Sequence, residues 1–229
     1  MIHIYDGSNQ FRLRLETDPT GLVHRNFYRE ISMHQPDVVV FVWDGFNCNA
    51  RRREIYPPYK TKRKPLAEDI FKSMNLFKEV LKLANVIQIE VPGYEADDVI
   101  ASLALLIQNT DNVLIHSNDG DYLQLVNDRI KTTRETSYNG VSPDLIPLYK
   151  ATVGDPSDSI IGIPGFGDKT WSDVDKDHLI QFFKRLEAGE NPPAETVFGL
   201  PKRYINWMNK NHDTMRAVWK IVHFFEVPD

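Results

Sequence analysis

Residues Asp37–Trp43 read DVVVFVW and are followed at once by Asp44-Gly45. A run of β-branched and aromatic residues without polar alternation has no face to give to water, so it predicts a strand buried on both sides. Such strands belong to parallel sheets, whose crossover connections lay helices on the two faces. The segments on either side repeat the theme. Ile2–Tyr5 is a short apolar strand ending at Asp6, with Gly7, Ser8 and Asn9 as turn residues. Leu66–Ala84 carries Ile70, Met74, Phe77, Leu81 and Ala84 at helical spacing. Val86–Val91 is another strand, stopped by Pro92-Gly93. Tyr94–Gln108 reads as a helix, and Asn112–His116 as a strand running towards Asp119. Alternating strand and helix predicts an α/β fold with a mostly parallel central sheet flanked by helices. From about Asp144 short helices and Gly-Pro turns replace strands, the densest being DPSDSIIGIPGFGDKT at 155–170. The reading is therefore an α/β part, residues 1–143, and a helical region, residues 144–229.

Acidic residues cluster where the strands end. Asp6, Asp44, the trio Glu95, Asp97 and Asp98, and the pair Asp119 and Asp121 lie at carboxyl ends of strands or just beyond. In a parallel sheet those ends share one edge, where ligands bind. Asp155 and Asp158, three apart in a helical turn, present both acids to one side. One such aspartate is ordinarily a turn or helix cap; five clusters at equivalent positions ask for more. Two like charges 4 Å apart repel by about 1 kcal/mol in water and about 4 kcal/mol at an effective dielectric of 20. A site this crowded holds protons or cations, and hard divalent ions with oxygen ligands are the natural answer.

The chain of 229 residues is 41% hydrophobic and 26% charged, an ordinary globular composition. No apolar run approaches the roughly 20 residues that span a bilayer, and MIHIYDGSNQ is not a signal peptide. The single Cys48 excludes an internal disulfide and fits a reducing cytoplasm. The formal charge of −5 looks wrong for a nucleic-acid enzyme. Setting aside the nine acids named above leaves −5 + 9 = +4, so the remainder can be locally basic. Arg51–Lys64, RRREIYPPYKTKRK, carries seven Lys or Arg against one Glu. Arg51, Arg52, Arg53, Lys60, Lys62 and Arg63 can pair with phosphates while Tyr56 and Tyr59 stack on bases or sugars. Ile163-Pro164-Gly165-Phe166-Gly167, opening a helix at Asp168-Lys169-Thr170, is a glycine hairpin whose backbone N–H groups can approach a phosphate.

Taken in order, these motifs resemble those of the 5′ nuclease family: flap endonucleases, phage 5′–3′ exonucleases and the 5′ nuclease domain of bacterial DNA polymerase I. The similar stretches are Asp6-Gly7-Ser8, YPPYKTKR (56–63), GYEADDVIA (93–101), NDGDYLQL (118–125), GDPSDS (154–159) and the hairpin, together spanning Ile2 to about Thr170. The resemblance implies that Asp6, Asp44, Glu95, Asp97, Asp98, Asp119, Asp121, Asp155 and Asp158 hold two Mg²⁺ or Mn²⁺ ions. It places Lys60 and Arg63, within an arch or clamp of about residues 50–75, on the scissile phosphate, beside Asp97 and Asp98 as catalytic groups. Ile163–Thr170 becomes a helix-hairpin-helix that grips duplex backbone through Gly165, Gly167 and Lys169, with K⁺ on the carbonyls of Ile163 and Gly165. Gly120 stands where the family has a larger, often basic residue, and Ser159 replaces a common Asn.

The expectation is a monomeric, structure-specific 5′ nuclease of a bacterial or phage-infected cytoplasm, with no membrane partner. Its substrate is DNA with a 5′ end, flap or nick, or an RNA primer in an RNA–DNA hybrid, hydrolysed with two divalent ions. A haloacid-dehalogenase-like phosphatase also begins with a strand-ending Asp but needs a second two residues on, where Ser8 stands. A PIN-type ribonuclease shares the acids and lacks the hairpin. A non-catalytic DNA-junction binder needs the basic segment and hairpin without the full acid set.

Overall fold

The computed structural model describes residues 1–17, 23–84, 86–134 and 138–228. In chain order the elements are β1 (Ile2–Asp6), α1 (Gly7–Thr17), α2 (Val23–His34), β2 (Val38–Trp43), α3 (Ala50–Ile55), α4 (Glu68–Leu81), β3 (Ile87–Glu90), α5 (Ala96–Ile107), β4 (Val113–His116), β5 (Ile130–Thr132), α6 (Ile146–Thr152), α7 (Asp168–Asp173), α8 (Lys176–Glu187), α9 (Lys202–Met208) and α10 (His212–Ile221). None of these helices is long and apolar enough to cross a membrane.

The chain forms two compact units. The first comprises Met1–Cys48, Lys64–Pro143 and Phe225–Asp229; the second comprises Asn49–Arg63 and Asp144–Phe224. The basic segment 49–63, expected within the α/β part, thus groups with the helical region. The reason is tertiary: the Arg52 guanidinium donates to the carbonyls of Ile221 and His223, and the Lys60 backbone N–H donates to the Asp158 carbonyl.

The α/β unit is built on a five-stranded sheet in the order β3-β2-β1-β4-β5, with every pairing parallel, as the sequence predicts. β1 sits at the centre, Tyr5 facing Phe41 on one side and His116 on the other. Strand order reverses between β1 and β4, the switch point at which such sheets bind ligands beyond their carboxyl ends. One face packs Tyr5, Phe41 and Trp43 against Phe11, Phe27, Met74, Phe77 and Leu81 from α1, α2 and α4. Each fully buried side chain of that size contributes roughly 1.5–3 kcal/mol.

Gly7–Asn9, expected as a turn, is instead the first turn of α1. Asp6 is its cap, accepting the Asn9 backbone N–H at 3.1 Å, so strand passes to helix without a loop. Gly7 is required because a Cβ there would lie 2.6 Å from the Trp43 ring. Gly45 is required for a similar reason: its Cβ would fall 1.8 Å from the Val91 carbonyl oxygen. β5 lies beyond reach of the pattern, since three residues, IKT, carry no periodicity.

In the helical unit α8 and α10 pack along amphipathic stripes, Leu179, Phe182, Phe183 and Leu186 from one and Met215, Val218, Trp219 and Ile221 from the other. Phe183 and Trp219 meet at 4.9 Å between ring centres.

Candidate functional site

In the α/β unit the strand ends bring Asp6, Asp44, Asp97 and Asp119 into one electrostatic neighbourhood. Asp6, buried at the end of β1, has one oxygen on the Asn9 N–H; the other accepts the Ser117 hydroxyl at 3.0 Å. Burial first, and then the charge of Asp44, push its carboxyl up to about 7; Asp119 adds to the push, and the bonds from Asn9 and Ser117 resist it. Asp44, exposed beyond β2, accepts the backbone N–H of Ala96 at 3.1 Å and so ties its loop to the start of α5. Asp119 accepts the N–H of Asp121 and caps the short 3₁₀ helix Gly120–Leu125. Tyr122, on that helix, donates its hydroxyl to Asp97 at 2.9 Å. Glu95 is buried at the amino end of α5. A Cβ at Gly120 would strike the Tyr138 ring at 2.4 Å and come within 3.4 Å of the Arg134 guanidinium, so glycine there lets Tyr138 and Arg134 close over the loop.

Asp98 behaves differently. It is fully buried and accepts the Phe225 backbone N–H at 2.8 Å, which fastens the returning C-terminal segment to α5. That contact takes one oxygen of the carboxylate that the resemblance expects to be a metal ligand.

The remaining expected acids lie in the helical unit. Asp155 accepts the N–H groups of Ser157 and Asp158 and pairs with the Lys150 ammonium at 2.8 Å. Although burial pushes its carboxyl up, the Lys150 charge and hydrogen bond and the Ser157 bonds hold it below the usual range. Asp158 takes the Arg63 guanidinium at 2.7 Å, with the Lys60 ammonium at 4.0 Å. The pair expected to face one side is therefore divided, each acid with its own cation.

The basic segment is more internal than its composition implies. Tyr56 and Tyr59 are buried, so neither ring is open to stack on a base, and Arg52 is 4% exposed. As they stand, these three expected DNA contacts knit 49–63 to its own unit. Lys60 too is buried beside the Tyr59 ring, and its backbone adopts φ 51, a conformation uncommon for lysine. Arg51, Arg53, Lys62 and Arg63 are exposed, and Arg53 also donates to the Tyr59 carbonyl.

At 163–166 the Phe166 N–H closes on the Ile163 carbonyl with Pro164 second and Gly165 third at φ 76, the arrangement of a type II turn. The two carbonyls expected to take K⁺ each have an internal donor, Phe166 N–H on Ile163 and the Tyr204 hydroxyl on Gly165. Nothing in that geometry reserves them for a cation. Gly165, Gly167 and Lys169 are exposed, and a Cβ at either glycine meets nothing within 4 Å.

Among the described residues no three acidic, histidine or cysteine side chains converge closely enough to form a coordination shell as they stand. The donor chemistry at the α/β edge nevertheless fits a hard divalent ion: oxygen ligands only, and a buried carboxyl whose raised affinity for a proton marks a place for positive charge. Ser117 and Tyr122 are hydrogen-bonding neighbours of these acids that the reading of the acids alone misses. Their only signal in the sequence is position, on either side of Asp119-Gly120-Asp121.

A family model described as the 5′-3′ exonuclease, N-terminal resolvase-like domain, matches residues 15–147. The chain is 40% identical over 168 residues to a 5′-3′ exonuclease of Aquifex aeolicus, covering 66% of this chain and 57% of that protein. It is 38% identical over 145 residues to the thermostable DNA polymerase I of Thermus thermophilus, covering 58% of this chain and 17% of the polymerase. The chain thus spans little more than half of the exonuclease relative and a small part of the polymerase. The structure of T5 5′-exonuclease with zinc bound superposes with a TM-score of 0.74 at 21% identity, over 96% of this chain and 88% of that one. A bacteriophage T5 flap endonuclease in a pseudo-enzyme-product complex with DNA and metal ions gives 0.73 over the same shares. At that identity the likeness establishes the fold.

Proposed function

We propose, from the premise that this chain belongs to the 5′–3′ exonuclease family, that it hydrolyses DNA phosphodiesters at or near a 5′ end, flap or nick with divalent metal ions. The observation that carries the reading is the acidic edge at the sheet's switch point, where the Asp6 carboxyl is pushed up to about 7 by burial and by its neighbour Asp44. Asp6, Asp44, Glu95, Asp97, Asp98, Asp119 and Asp121 are the residues of the α/β edge that would hold the ions, two Mg²⁺ or Mn²⁺. Bound there, such ions supply an activated water and offset charge on the attacking and leaving oxygens. The chain's own groups do the rest. The buried Ser117 and Tyr122 keep the carboxylates oriented, while exposed Arg51, Arg53, Lys62 and Lys169 offer phosphate contacts that carry no sequence information. The resemblance gives Lys60 and Arg63 the stabilising of charge on the reacting phosphate; in the structure both cations face Asp158.

The test uses 5′-end-labelled flap, nicked and blunt duplexes, and an RNA–DNA hybrid, in Mg²⁺ and in EDTA. Cleavage of the flap or nick only with Mg²⁺ is expected. Binding without cleavage would leave a DNA-junction binder in place of an enzyme.

A further inference from the structure

Asp6 and Asp97 stand on different elements, the end of β1 and the first turn of α5. Tyr122 comes between them from the short 3₁₀ helix after β4. Its hydroxyl donates to Asp97 Oδ1 at 2.9 Å and lies 3.4 Å from Asp6 Oδ2, the oxygen that also takes the Ser117 hydroxyl. Tyr122 is fully buried, so water does not compete for these contacts. A phenol carries one proton and no charge at neutral pH.

We infer that Tyr122 is a positioning residue for the metal-holding carboxylates, a neutral donor that sets the spacing of Asp6 and Asp97 and leaves their negative charge available to a cation. The alternative device is visible elsewhere in the chain, where Lys150 holds Asp155 at 2.8 Å. A fixed ammonium orients a carboxylate equally well but cancels the charge that an incoming ion needs. At a carboxylate cluster that must repel itself when empty and attract an ion when loaded, a buried hydroxyl does the orienting without that conflict. Groups that orient metal ligands in this way typically change metal affinity or activity by 10–100-fold when lost.

The inference rests on the metal-nuclease reading, and its experiment separates the two. Tyr122→Phe keeps the ring and removes only the hydroxyl. Mn²⁺ binding to the whole protein, followed by the electron paramagnetic resonance signal of free Mn²⁺, is measured without DNA for the wild type, Tyr122→Phe, Asp97→Asn and the double variant. The expected result is an Mn²⁺ dissociation constant raised about tenfold or more in Tyr122→Phe. The hydroxyl should add little further loss once Asp97 is Asn, because it acts through that carboxylate. Single-turnover cleavage by Tyr122→Phe should fall in step at low Mn²⁺ and recover at high Mn²⁺. Wild-type Mn²⁺ affinity in Tyr122→Phe overturns the positioning role and leaves the nuclease reading intact. Equal further loss in the Asp97→Asn background overturns the hydroxyl's action through Asp97, its 2.9 Å partner. A wild-type protein that binds no Mn²⁺ and does not cleave overturns both.

Discussion

Asp6 in the α/β unit and Asp155 in the helical unit are the same residue type, both buried, both capping the first turn of a helix, and they live in opposite electrostatic states. Asp6 has neutral donors, the Asn9 N–H and the Ser117 hydroxyl, with Asp44 and Asp119 pressing on it, and its carboxyl is pushed up to about 7. Asp155 has Lys150 at 2.8 Å and stays below the usual carboxylate range. One cluster needs a cation from outside; the other already has its own. Counting acids along a chain cannot separate the two, because the difference lies in what faces them.

The sharpest way to break this contrast is a pair of neutralising substitutions. Asp97→Asn is expected to lower single-turnover cleavage by a factor of about 10³ or more, since it removes both charge and ligand at the acidic edge. Asp6→Asn should do the same and leave thermal stability in EDTA equal or higher, because it relieves repulsion. A large drop in its melting temperature would show that the charge of Asp6 holds the fold.

Asp155→Ala should act the other way round. Removing the carboxylate nearest a buried ammonium costs about 3 kcal/mol or more, roughly 6–12 °C in melting temperature for a chain of this size. A melt within a degree or two of wild type would place Asp155 with the metal-holding acids after all.

The α/β unit should also be the acid-sensitive one. Behind the sheet, His116 accepts or donates across 3.0 Å to His3, Glu30 lies 3.0 Å from His116, and Arg14 and Tyr5 both reach Glu30. Burial, then the neighbouring His116 and His34, depress His3 to about 4, with Glu30 opposing and the N-terminus adding slightly. The unfolded chain binds a proton at His3 near 6.5 while the native protein does not until about 4. Stability therefore falls as pH drops through that window, by about 2 kcal/mol between pH 7 and pH 5. Glu30 has the opposite character: although burial pushes it up, the His116 hydrogen bond and the Arg14 charge hold it at about 2. Its contribution, present above about 4.5, is lost as pH falls towards 2. Urea denaturation at pH 7, 6 and 5 measures the first loss, and a flat profile would mean that His3 is solvated.

The smallest effect separates two arginines that are adjacent in sequence. Arg52→Ala should lose about 1–2 kcal/mol of stability by stripping hydrogen bonds from the Ile221 and His223 carbonyls. Arg51→Ala should leave stability within about 0.5 kcal/mol and reduce the slope of log affinity against log salt by about one. Identical behaviour of the two would put Arg52 back on the DNA.

What was legible in the sequence was what neighbouring residues decide together. DVVVFVW predicted a doubly buried strand, alternating elements predicted a parallel sheet, and the order of strands put Asp6, Asp44 and Asp119 at its carboxyl edge. Periodicity also outlined the helix at 66–84, seen at Glu68–Leu81. These are local properties of pattern and turn chemistry, written within a few residues of where they act. Partner choice is not local. Arg52 meets the Ile221 carbonyl across 169 positions, Asp98 meets Phe225 across 127, and Tyr122 meets Asp6 across 116. Whether an acid finds a lysine, a backbone N–H or a phenol depends on which distant segment folds over it. That choice sets its charge and burial, and so only the tertiary structure decided which of the nine acids meet a lysine, a backbone N–H or a phenol.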